Sequence, residues 1–152
     1  MQLCKLNREH LTYIIDRMKA DDRREIFATR FDESTEGLVE DCLRCGPFSW
    51  IAAKDGEPIT AIGAAPLWPG VWSVWMFSTD NLYKIGFSLT KFSKRIIIPS
   101  LKELGAHRVE CRSIEGHTVA QKWLKNFGAE IESKMIGYGK NKENFYTFSM
   151  EL

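Results

Sequence analysis

Hydrophobic and polar residues alternate with two different periods along the chain, and the period predicts which segments are helices and which are strands. Where apolar residues recur every three to four positions, we expect amphipathic helices. These segments are Arg8 to Met18, a short stretch from Arg23 to Phe27, a stretch opened by Ser34, a long stretch after Gly86, and Thr118 to Phe127. Asn7 is the expected cap of the first helix, and Asp21 or Asp22 that of the second. Pro99 lies inside the long stretch and should kink or divide it.

A two-residue alternation, typical of strands, occupies most of the remaining chain. The predicted strands are Met1 to Leu6, Phe48 to Lys54, Pro58 to Ala65, Val71 to Phe77, Arg108 to Ser113, Glu130 to Tyr138 and Phe145 to Leu152. Asp55-Gly56 predicts a hairpin turn, and Pro66 to Gly70 predicts a second turn. The resulting order is strand, helices, three strands, helix, strand, helix, two strands. It predicts one α/β domain built on a mixed sheet.

The composition is that of an ordinary globular protein, and it narrows the function classes. With 152 residues, the chain is long enough for one domain with a substantial core. Its 21 Lys and Arg residues nearly balance its 20 Asp and Glu residues. We therefore expect neither a general nucleic-acid binder nor a membrane-surface protein. A weaker alternative is nucleic-acid binding through a local basic patch of Lys84, Lys91, Lys94 and Arg95.

Neither a charged leader before an apolar run nor an apolar run long enough to span a bilayer occurs in the sequence. The expected location is the cytoplasm, where cysteines stay reduced. Of the four cysteines, Cys42 and Cys45 form a C-x-x-C pair, a pattern found in zinc and redox sites. No second pair completes a tetrahedral zinc site. The favoured interpretation is two partly buried helix residues and no metal.

The segment from Val71 to Lys91 passes from an aromatic strand through a polar loop and Gly86 into a helix. The free amides and the dipole at a helix N-terminus favour an anion, so this arrangement is common at phosphate-binding sites. A single glycine in such a loop is also a frequent turn residue. Both interpretations stay open from these residues alone.

The element order, with this strand–loop–helix at its centre, resembles the GCN5-related N-acetyltransferase (GNAT) fold. The resemblance is strongest in Gly116 to Glu130, GHTVAQKWLKNFGAE, which is similar to the superfamily pattern N-x-x-A-x-x-L-Y-x-x-x-G-F. Ala120 and Gly128 fall in register, and Trp123 occupies an apolar position. The resemblance implies a single-domain GNAT-like mixed, mostly antiparallel sheet flanked by helices.

Four ordered segments also resemble a narrower family, the small acetyltransferase-like proteins of tailed phages, which includes an internal virion protein. The matching segments are Met18 to Glu25, Trp75 to Asp80, Trp123 to Ala129 and Phe145 to Phe148. This resemblance implies a phage-encoded enzyme that transfers an acetyl group from acetyl-CoA to an amine of a small molecule or a host protein. It also implies a location in the host cytoplasm or in the virion.

In this superfamily the fourth and fifth strands splay apart, and acetyl-CoA lies in the gap between them. The resemblance implies that the following residues bind it: Met76, Phe77, Ser78, Thr79, Lys84, Ile85, Gly86, Phe87, Ser88, His117 and Trp123. The superfamily loop is Q/R-x-x-G-x-G/A, of which Tyr83 to Ser88 keeps only the first glycine. Lys84 and Ser88 are residue types suited to phosphate oxygens and could replace the lost contacts. His117, by contrast, could simply cap the last helix.

Acetyl transfer needs a base, because lysine-like amines keep their proton up to about pH 10. Glu25 is the first candidate, with Asp22 beside it, and Glu110 on the fifth strand is the second. Asp22 and Glu25 equally fit a helix cap and a solvated helix surface. A backbone N–H near Phe77 or Ser78 is the expected donor to the developing oxyanion.

The leaving thiolate is expelled more easily when an acid protonates it. The superfamily's tyrosine for this step corresponds to Leu124, which cannot donate a proton, so Ser78, Tyr83, Tyr138 or water would have to substitute. This departure motivates an alternative function: a catalytically weak GNAT-fold protein that acts as a virion component or binds a host protein. The tryptophans are more typical of core packing than of base stacking. The acceptor and the oligomeric state, including a dimer, stay open.

Overall fold

The computed structural model describes residues 1–152 and contains one seven-stranded sheet with helices on both faces. The strands are β1 (Gln2–Cys4), β2 (Ser49–Lys54), β3 (Glu57–Trp68), β4 (Val71–Ser78), β5 (Arg108–Ile114), β6 (Glu130–Met135) and β7 (Phe145–Glu151). The helices are α1 (Arg8–Asp16), α2 (Ala20–Ala28), α3 (Thr35–Arg44), α4 (Gly86–Phe92), α5 (Ile98–Glu103) and α6 (Thr118–Asn126). This order of elements is the predicted one.

The strands lie side by side in the order β1-β2-β3-β4-β5-β7-β6. Every neighbouring pair is antiparallel except β4 and β5, which run parallel. The predicted fold class, a single α/β domain with a mixed and mostly antiparallel sheet, is therefore confirmed. The parallel pair requires a crossover, which the chain makes through α4 and α5.

Only the first residues of β4 and β5 are paired with each other. The pairs are Val71↔Arg108, Trp72↔Val109 and Ser73↔Glu110. β4 then continues to Ser78 along β3, whereas β5 continues to Ile114 along β7. A wedge-shaped gap therefore opens in the middle of the sheet, as the resemblance implied.

The two faces of the sheet carry separate hydrophobic cores. Helices α1 to α3 cover the first face, where Leu11, Ile15, Phe27, Val39 and Phe77 are buried together. Helices α4 to α6 cover the second face, where the core contains Ile62, Ile85, Leu89, Leu101 and Val109, with Trp123 packed against it. Because side chains alternate along a strand, neighbouring residues of β4 serve opposite cores.

The N-terminal caps agree with the sequence only in part. The Asn7 side chain accepts a hydrogen bond from the His10 N–H at 2.9 Å, and the Ser34 hydroxyl accepts one from Gly37 N–H at 3.0 Å. The prediction that Asp21 or Asp22 caps α2 is wrong, because the helix begins at Ala20 after Lys19. Lys19 N–H donates to the Ser78 carbonyl at 2.9 Å, so a backbone contact with β4 starts this helix.

The second turn is shorter than predicted. β3 runs on to Trp68, and the chain reverses at Pro69-Gly70, where Gly70 has a φ of +85°. Pro66, which the sequence places in the turn, lies opposite Trp72 beside a bulge that accommodates its missing N–H. The predicted turn over Pro66 to Gly70 is therefore wrong at its start.

Pro99 divides the long helix, as predicted. A π-helical turn over Ser93–Ile97 separates α4 from α5, and Pro99 stands in the first turn of α5. A proline has no N–H for the preceding turn, so the wider turn absorbs the missing hydrogen bond. The polar loop before α4 is itself ordered as a 3₁₀ helix over Asp80–Lys84.

Candidate active site

A cavity of about 810 Å³ lies in the gap between β4 and β5. Its wall includes Val74 to Phe77 of β4 and Val109 to Ser113 of β5. It also includes Leu38 and Cys42 from the first face of the sheet and Leu89 and Trp123 from the second. The cavity therefore passes through the sheet, with residues of both cores on its wall. Its size and its mostly hydrophobic lining are those of a small-molecule site.

The strand β4 presents part of its backbone to this gap. Thr79 N–H donates to the Ile59 carbonyl of β3 at 2.9 Å. N–H groups alternate sides along a strand, so the N–H groups of Phe77 and Trp75 also face β3. Those of Met76 and Ser78 face the gap instead. Since the ladder to β5 stops at Ser73, the Met76 N–H lies beyond the last strand pair.

The ends of β4 and β5, at the wide end of the gap, are both hydrogen-bonded to carboxylates of α2. Asp22 Oδ2 accepts a hydrogen bond from the Ser78 N–H of β4 at 2.9 Å. Glu25 Oε1 accepts one from the Ile114 N–H of β5 at 2.7 Å. The Ser78 amide that the sequence proposed as an oxyanion donor is thus occupied, and α2 closes the wide end of the wedge.

His117 lies between these two carboxylates and is 1% exposed. Its Nε2 is 3.2 Å from Asp22 Oδ1, and its Nδ1 is 3.3 Å from Glu25 Oε1. Neither ring N–H has a well-directed hydrogen bond, so the contacts are chiefly those of an ion pair. Burial lowers the pKa of His117, but its contacts with Asp22 and Glu25 and their charges outweigh burial and raise the pKa to about 9. The imidazole is therefore a cation at neutral pH.

The structure brings several predicted site residues together on the cavity wall. These are Asp22, Glu25, Met76, Phe77, Gly86, His117 and Trp123. The remaining predicted residues, Ser78, Thr79, Lys84, Ile85, Phe87 and Ser88, lie off the wall. Ser78 and Thr79 lie at and just after the end of β4, and the other four lie at the end of the 3₁₀ helix Asp80–Lys84 or just after it.

Three of the residues off the wall have partners or positions of their own. The Ser78 side chain is fully buried, and its hydroxyl accepts a hydrogen bond from Thr60 Oγ1 at 2.9 Å. Lys84 Nζ lies 3.6 Å from Glu57 Oε2. The Phe87 ring is 84% exposed to solvent. These contacts favour a structural part for Ser78 and Lys84.

Gly86 is the first residue of α4 and lies on the wall of the cavity. The preceding Ile85 has no side chain that could cap the helix, so the first amides of α4 have no side-chain acceptor. A Cβ atom on Gly86 would meet nothing within 4 Å, and its φ lies outside the glycine-favouring region. The fold itself does not require a glycine at this position. Close approach of a ligand to the backbone is a remaining reason for a glycine here.

Glu110 stands where the gap begins, in the last residue pair between β4 and β5. Its neighbour Val109 belongs to the second-face core, so the Glu110 side chain points toward the first face. Arg108 contacts Glu110 Oε2 at 2.9 Å and also contacts Glu132 Oε2 at 2.5 Å. The guanidinium therefore fixes the position of the Glu110 carboxylate at the edge of the cavity.

Leu124 and Tyr138 both line the cavity, whereas Tyr83 is 78% exposed and does not. The ring of Tyr138 packs edge-on against Phe145, with centroids 5.5 Å apart. The guanidinium of Arg112 lies 5.6 Å from the centre of the same ring. Of the tyrosines named from the sequence, only Tyr138 is placed to reach the contents of the cavity.

The wall on the first face contains residues that the sequence did not assign to the acetyl-CoA or amine site. Cys42 and Cys45 line it beside Asp41, whose Oδ2 is 2.8 Å from Arg30 Nη1. Burial raises the pKa of the Cys42 thiol to about 12. No group of three or more His, Cys, Asp or Glu residues is arranged to hold a metal ion. None of the helices has the length and apolar character needed to cross a membrane.

No protein-family model and no curated protein matches this sequence. Solved structures do match its fold. Ard1 from Thermoplasma volcanium superposes with a TM-score of 0.76 at 12% identity, covering 99% of this chain and 97% of its own. The ribosomal-protein-alanine N-acetyltransferase from Brucella melitensis gives 0.74 at 14% identity, covering 100% of both chains.

A GCN5-related N-acetyltransferase from Kribbella flavida gives a TM-score of 0.72 at 16% identity, covering 99% of this chain and 97% of its own. Similarity at this level of identity establishes the fold. The chain thus has the GNAT fold that the sequence predicted.

Proposed function

We propose that this protein is an N-acetyltransferase that transfers an acetyl group from acetyl-CoA to an amine. The observation that carries the proposal is the apolar cavity in the gap between β4 and β5, which passes from one face of the sheet to the other. A cavity with this course lets two substrates approach the same point from opposite sides. The GNAT fold of the chain agrees with this use.

The second face suits the acyl donor. Acetyl-CoA supplies an activated thioester, a long pantetheine chain and a pyrophosphate. The Met76 N–H faces the gap, the apolar side chains of Leu89 and Trp123 line it, and the uncapped start of α4 at Gly86 adjoins it. These groups suit an extended amide-containing chain and an anion. The Met76 N–H also takes the place of the Ser78 amide as the proposed donor to the charge that develops on the thioester oxygen.

The first face suits the amine. We assign Glu110 as the general base, ahead of Glu25 and Asp22, because its position at the beginning of the gap faces this side. Arg108 fixes the position of the Glu110 carboxylate, and a general base must be held within reach of the proton that it accepts. Glu25 and Asp22 are each committed to a backbone N–H and to His117.

Leu124 leaves the departing thiolate without the expected acid. A thiol has an ordinary pKa of about 8.5, so a thiolate is a tolerable leaving group near neutral pH without full protonation. Tyr138 or a water molecule can complete the protonation from the cavity. We therefore expect a modest turnover and retained substrate binding.

The four ordered segments further support a phage-type protein acting in the host cytoplasm on a small-molecule amine or a host protein. We also propose association with the virion, and we place a protein acceptor and a small-molecule acceptor on an equal footing. The alternative, a catalytically weak protein that acts as a virion component or binds a host protein, shares the fold and the cavity but lacks efficient turnover.

Calorimetric titration with acetyl-CoA tests donor binding, and release of free thiol in the presence of an amine library tests turnover. We expect binding in the micromolar range, about −8 kcal/mol, and thiol release with at least one amine. Absence of both binding and thermal protection would overturn the proposal. Binding without thiol release from any amine would favour the binding-module alternative.

A further inference from the structure

A buried cluster at the wide end of the gap has no part in the acyl transfer itself. It consists of Asp22, Glu25 and His117 and is called the α2 bridge below. Its two carboxylates lie three positions apart on one side of α2, so both point toward the sheet. Asp22 is 4% exposed, and the Glu25 side chain is 17% exposed.

The α2 bridge attaches one rigid helix to both strands that border the gap. Asp22 holds the Ser78 N–H at 2.9 Å and Glu25 holds the Ile114 N–H at 2.7 Å. One further hydrogen bond supports each end: Lys19 N–H donates to the Ser78 carbonyl at 2.9 Å, and the Arg24 guanidinium donates to the Glu115 carbonyl at 3.4 Å. The distance between the two carboxylates therefore fixes how far apart the strands end.

Two largely buried carboxylates that contact the same imidazole ring repel each other unless a cation lies between them. His117 is that cation, at 3.2 Å from Asp22 and 3.3 Å from Glu25. It lies in the short turn between β5 and α6, so it belongs to the far side of the wedge. The ring therefore joins α2 to the β5–α6 connection as well as neutralising the pair.

The other groups around the ring do not take over this task. Lys19 Nζ on α2 lies 3.7 Å from Asp22 but contacts no oxygen of Glu25. The Cys111 thiol on β5 is uncharged, because burial and the nearby carboxylate of Glu25 raise its pKa to about 12. The Gln121 amide on α6 donates to the Ile114 carbonyl at 3.0 Å and carries no charge. Only His117 contacts both carboxylates.

We propose that His117 is a positioning residue for the acyl donor, which holds the ends of β4 and β5 at the separation that the donor's extended chain needs. This inference rests on the proposed function, because it takes the gap as the donor site. It assigns the ring to the geometry of the gap, in place of the direct contact with acetyl-CoA that the resemblance implied. Loss of the ring would leave two buried like charges that push the gap open.

The test compares H117Q, the matched control H10Q and the triple variant D22N/E25Q/H117Q. His10 lies on α1, away from the gap, and hydrogen-bonds with Asn7. In H117Q we expect the KM and the Kd for acetyl-CoA to rise at least about tenfold while kcat stays within about threefold. H10Q should bind as the parent does. The triple variant keeps an acceptor for each strand N–H but removes the charges, so it should recover most of the lost affinity.

A pH series and hydrogen exchange give independent readouts. The parent's Kd should rise as the pH passes about 9, whereas the Kd of the triple variant should not respond there. In H117Q the Ser78 and Ile114 amides should exchange at least about tenfold faster than in the parent. If H117Q does not fold, recovery of folding and binding in the triple variant supports the same conclusion.

The inference is overturned if H117Q binds acetyl-CoA as the parent does, or if the triple variant is as weak as H117Q. It is also overturned if the two amides exchange at the parent's rate in H117Q. If the parent itself fails to bind acetyl-CoA, the proposed function fails. The amide exchange then still decides whether the bridge holds the strands.

Discussion

The indole N–H of Trp123 donates a hydrogen bond to Thr90 Oγ1 at 3.0 Å, and this contact joins α6 to α4 on the second face of the sheet. Thr90 Oγ1 in turn donates to the Gly86 carbonyl at 2.8 Å. The start of α4, the proposed anion site, is thus connected through two side chains to the helix on the other side of the gap.

Replacing Thr90 with valine removes both hydrogen bonds while keeping the shape of the side chain. Because the Trp123 N–H is then left without its partner, we expect a loss of stability of about 1–3 kcal/mol, measured by urea unfolding. The affinity for acetyl-CoA should fall as well. Thr35→Val, which removes an exposed contact with Asp16 at 3.2 Å, is the matched control and should have little effect on either quantity. Equal losses of stability and affinity in the two variants would contradict a specific role for the Trp123–Thr90–Gly86 hydrogen bonds.

Gly86→Ala should separate the stability of the fold from ligand binding. The new methyl group meets nothing within 4 Å and lies in the first turn of a helix, so stability should stay level or rise by up to about 1 kcal/mol. Acetyl-CoA affinity should nevertheless fall, because the methyl group covers the amides at the start of α4. An unchanged Kd would remove Gly86 from the donor site.

Gly63→Ala, in contrast to Gly86→Ala, adds a methyl group where the fold has no room for it. Its Cβ atom would lie 2.6 Å from the Trp75 ring and 2.8 Å from Ser49 Cβ, so the indole must move. Overpacking of this kind costs about 1–3 kcal/mol. Since Trp75 lines the cavity on the first face, the KM for the amine should rise more than the KM for acetyl-CoA. A thermal melt and steady-state kinetics measure the two effects.

The stability of the protein should decrease on the alkaline side because of His117. Its pKa is raised from 6.5 to about 9 in the folded state, so its contribution is fully present below about pH 6.5 and is lost as the pH rises through about 9. The shift corresponds to roughly 3 kcal/mol for this buried group. Urea unfolding at pH 6, 8 and 10 should show the decrease, and H117Q should lack it. An equal decrease in H117Q would attribute the effect to other groups.

Glu110→Gln should abolish most turnover without disturbing the donor. Loss of a general base typically lowers kcat by about 10²–10⁴, while the Kd for acetyl-CoA should be unchanged. Glu132→Gln makes the same replacement on the other carboxylate bound to Arg108 and should keep most activity. If the activity of E110Q recovers at high pH, where the amine loses its proton unaided, the assignment of the base is supported. Full activity of E110Q at neutral pH would exclude it.

The order of elements could be predicted from sequence because it depends on local periods, whereas the position of the gap was implied by the resemblance to the GNAT fold. A strand alternates every two residues and a helix every 3.6 residues wherever it lies, so the pattern from Val71 to Lys91 was informative by itself. Boundaries were less accurate where a single contact decides them. β6 ends at Met135 rather than Tyr138, since Gly137 turns with a φ of +65° and its N–H donates to the Asn144 side chain at 2.9 Å.

The partners within the site could not be predicted, because they depend on how α2 lies across the sheet. Asp22 and Glu25 have the spacing of helix caps and of solvated surface residues, and nothing near them in sequence indicates Ser78, Ile114 or His117. The residues from Lys84 to Ser88 were named because they follow the cofactor loop pattern in sequence. Of these, only Gly86 lies on the cavity wall, and donor binding by the others stays a prediction.

The pairing of β4 with β5 over only three residues has a mechanical consequence. The molecule consists of two half-sheets, β1–β4 and β5–β7, that meet at a short seam rather than along a full ladder. An extended ligand lying in the gap would act as an inserted strand and connect the two half-sheets into one continuous sheet. Binding of the donor would therefore couple the two half-sheets. We expect the ligand-free protein to unfold less cooperatively than its complex with the donor.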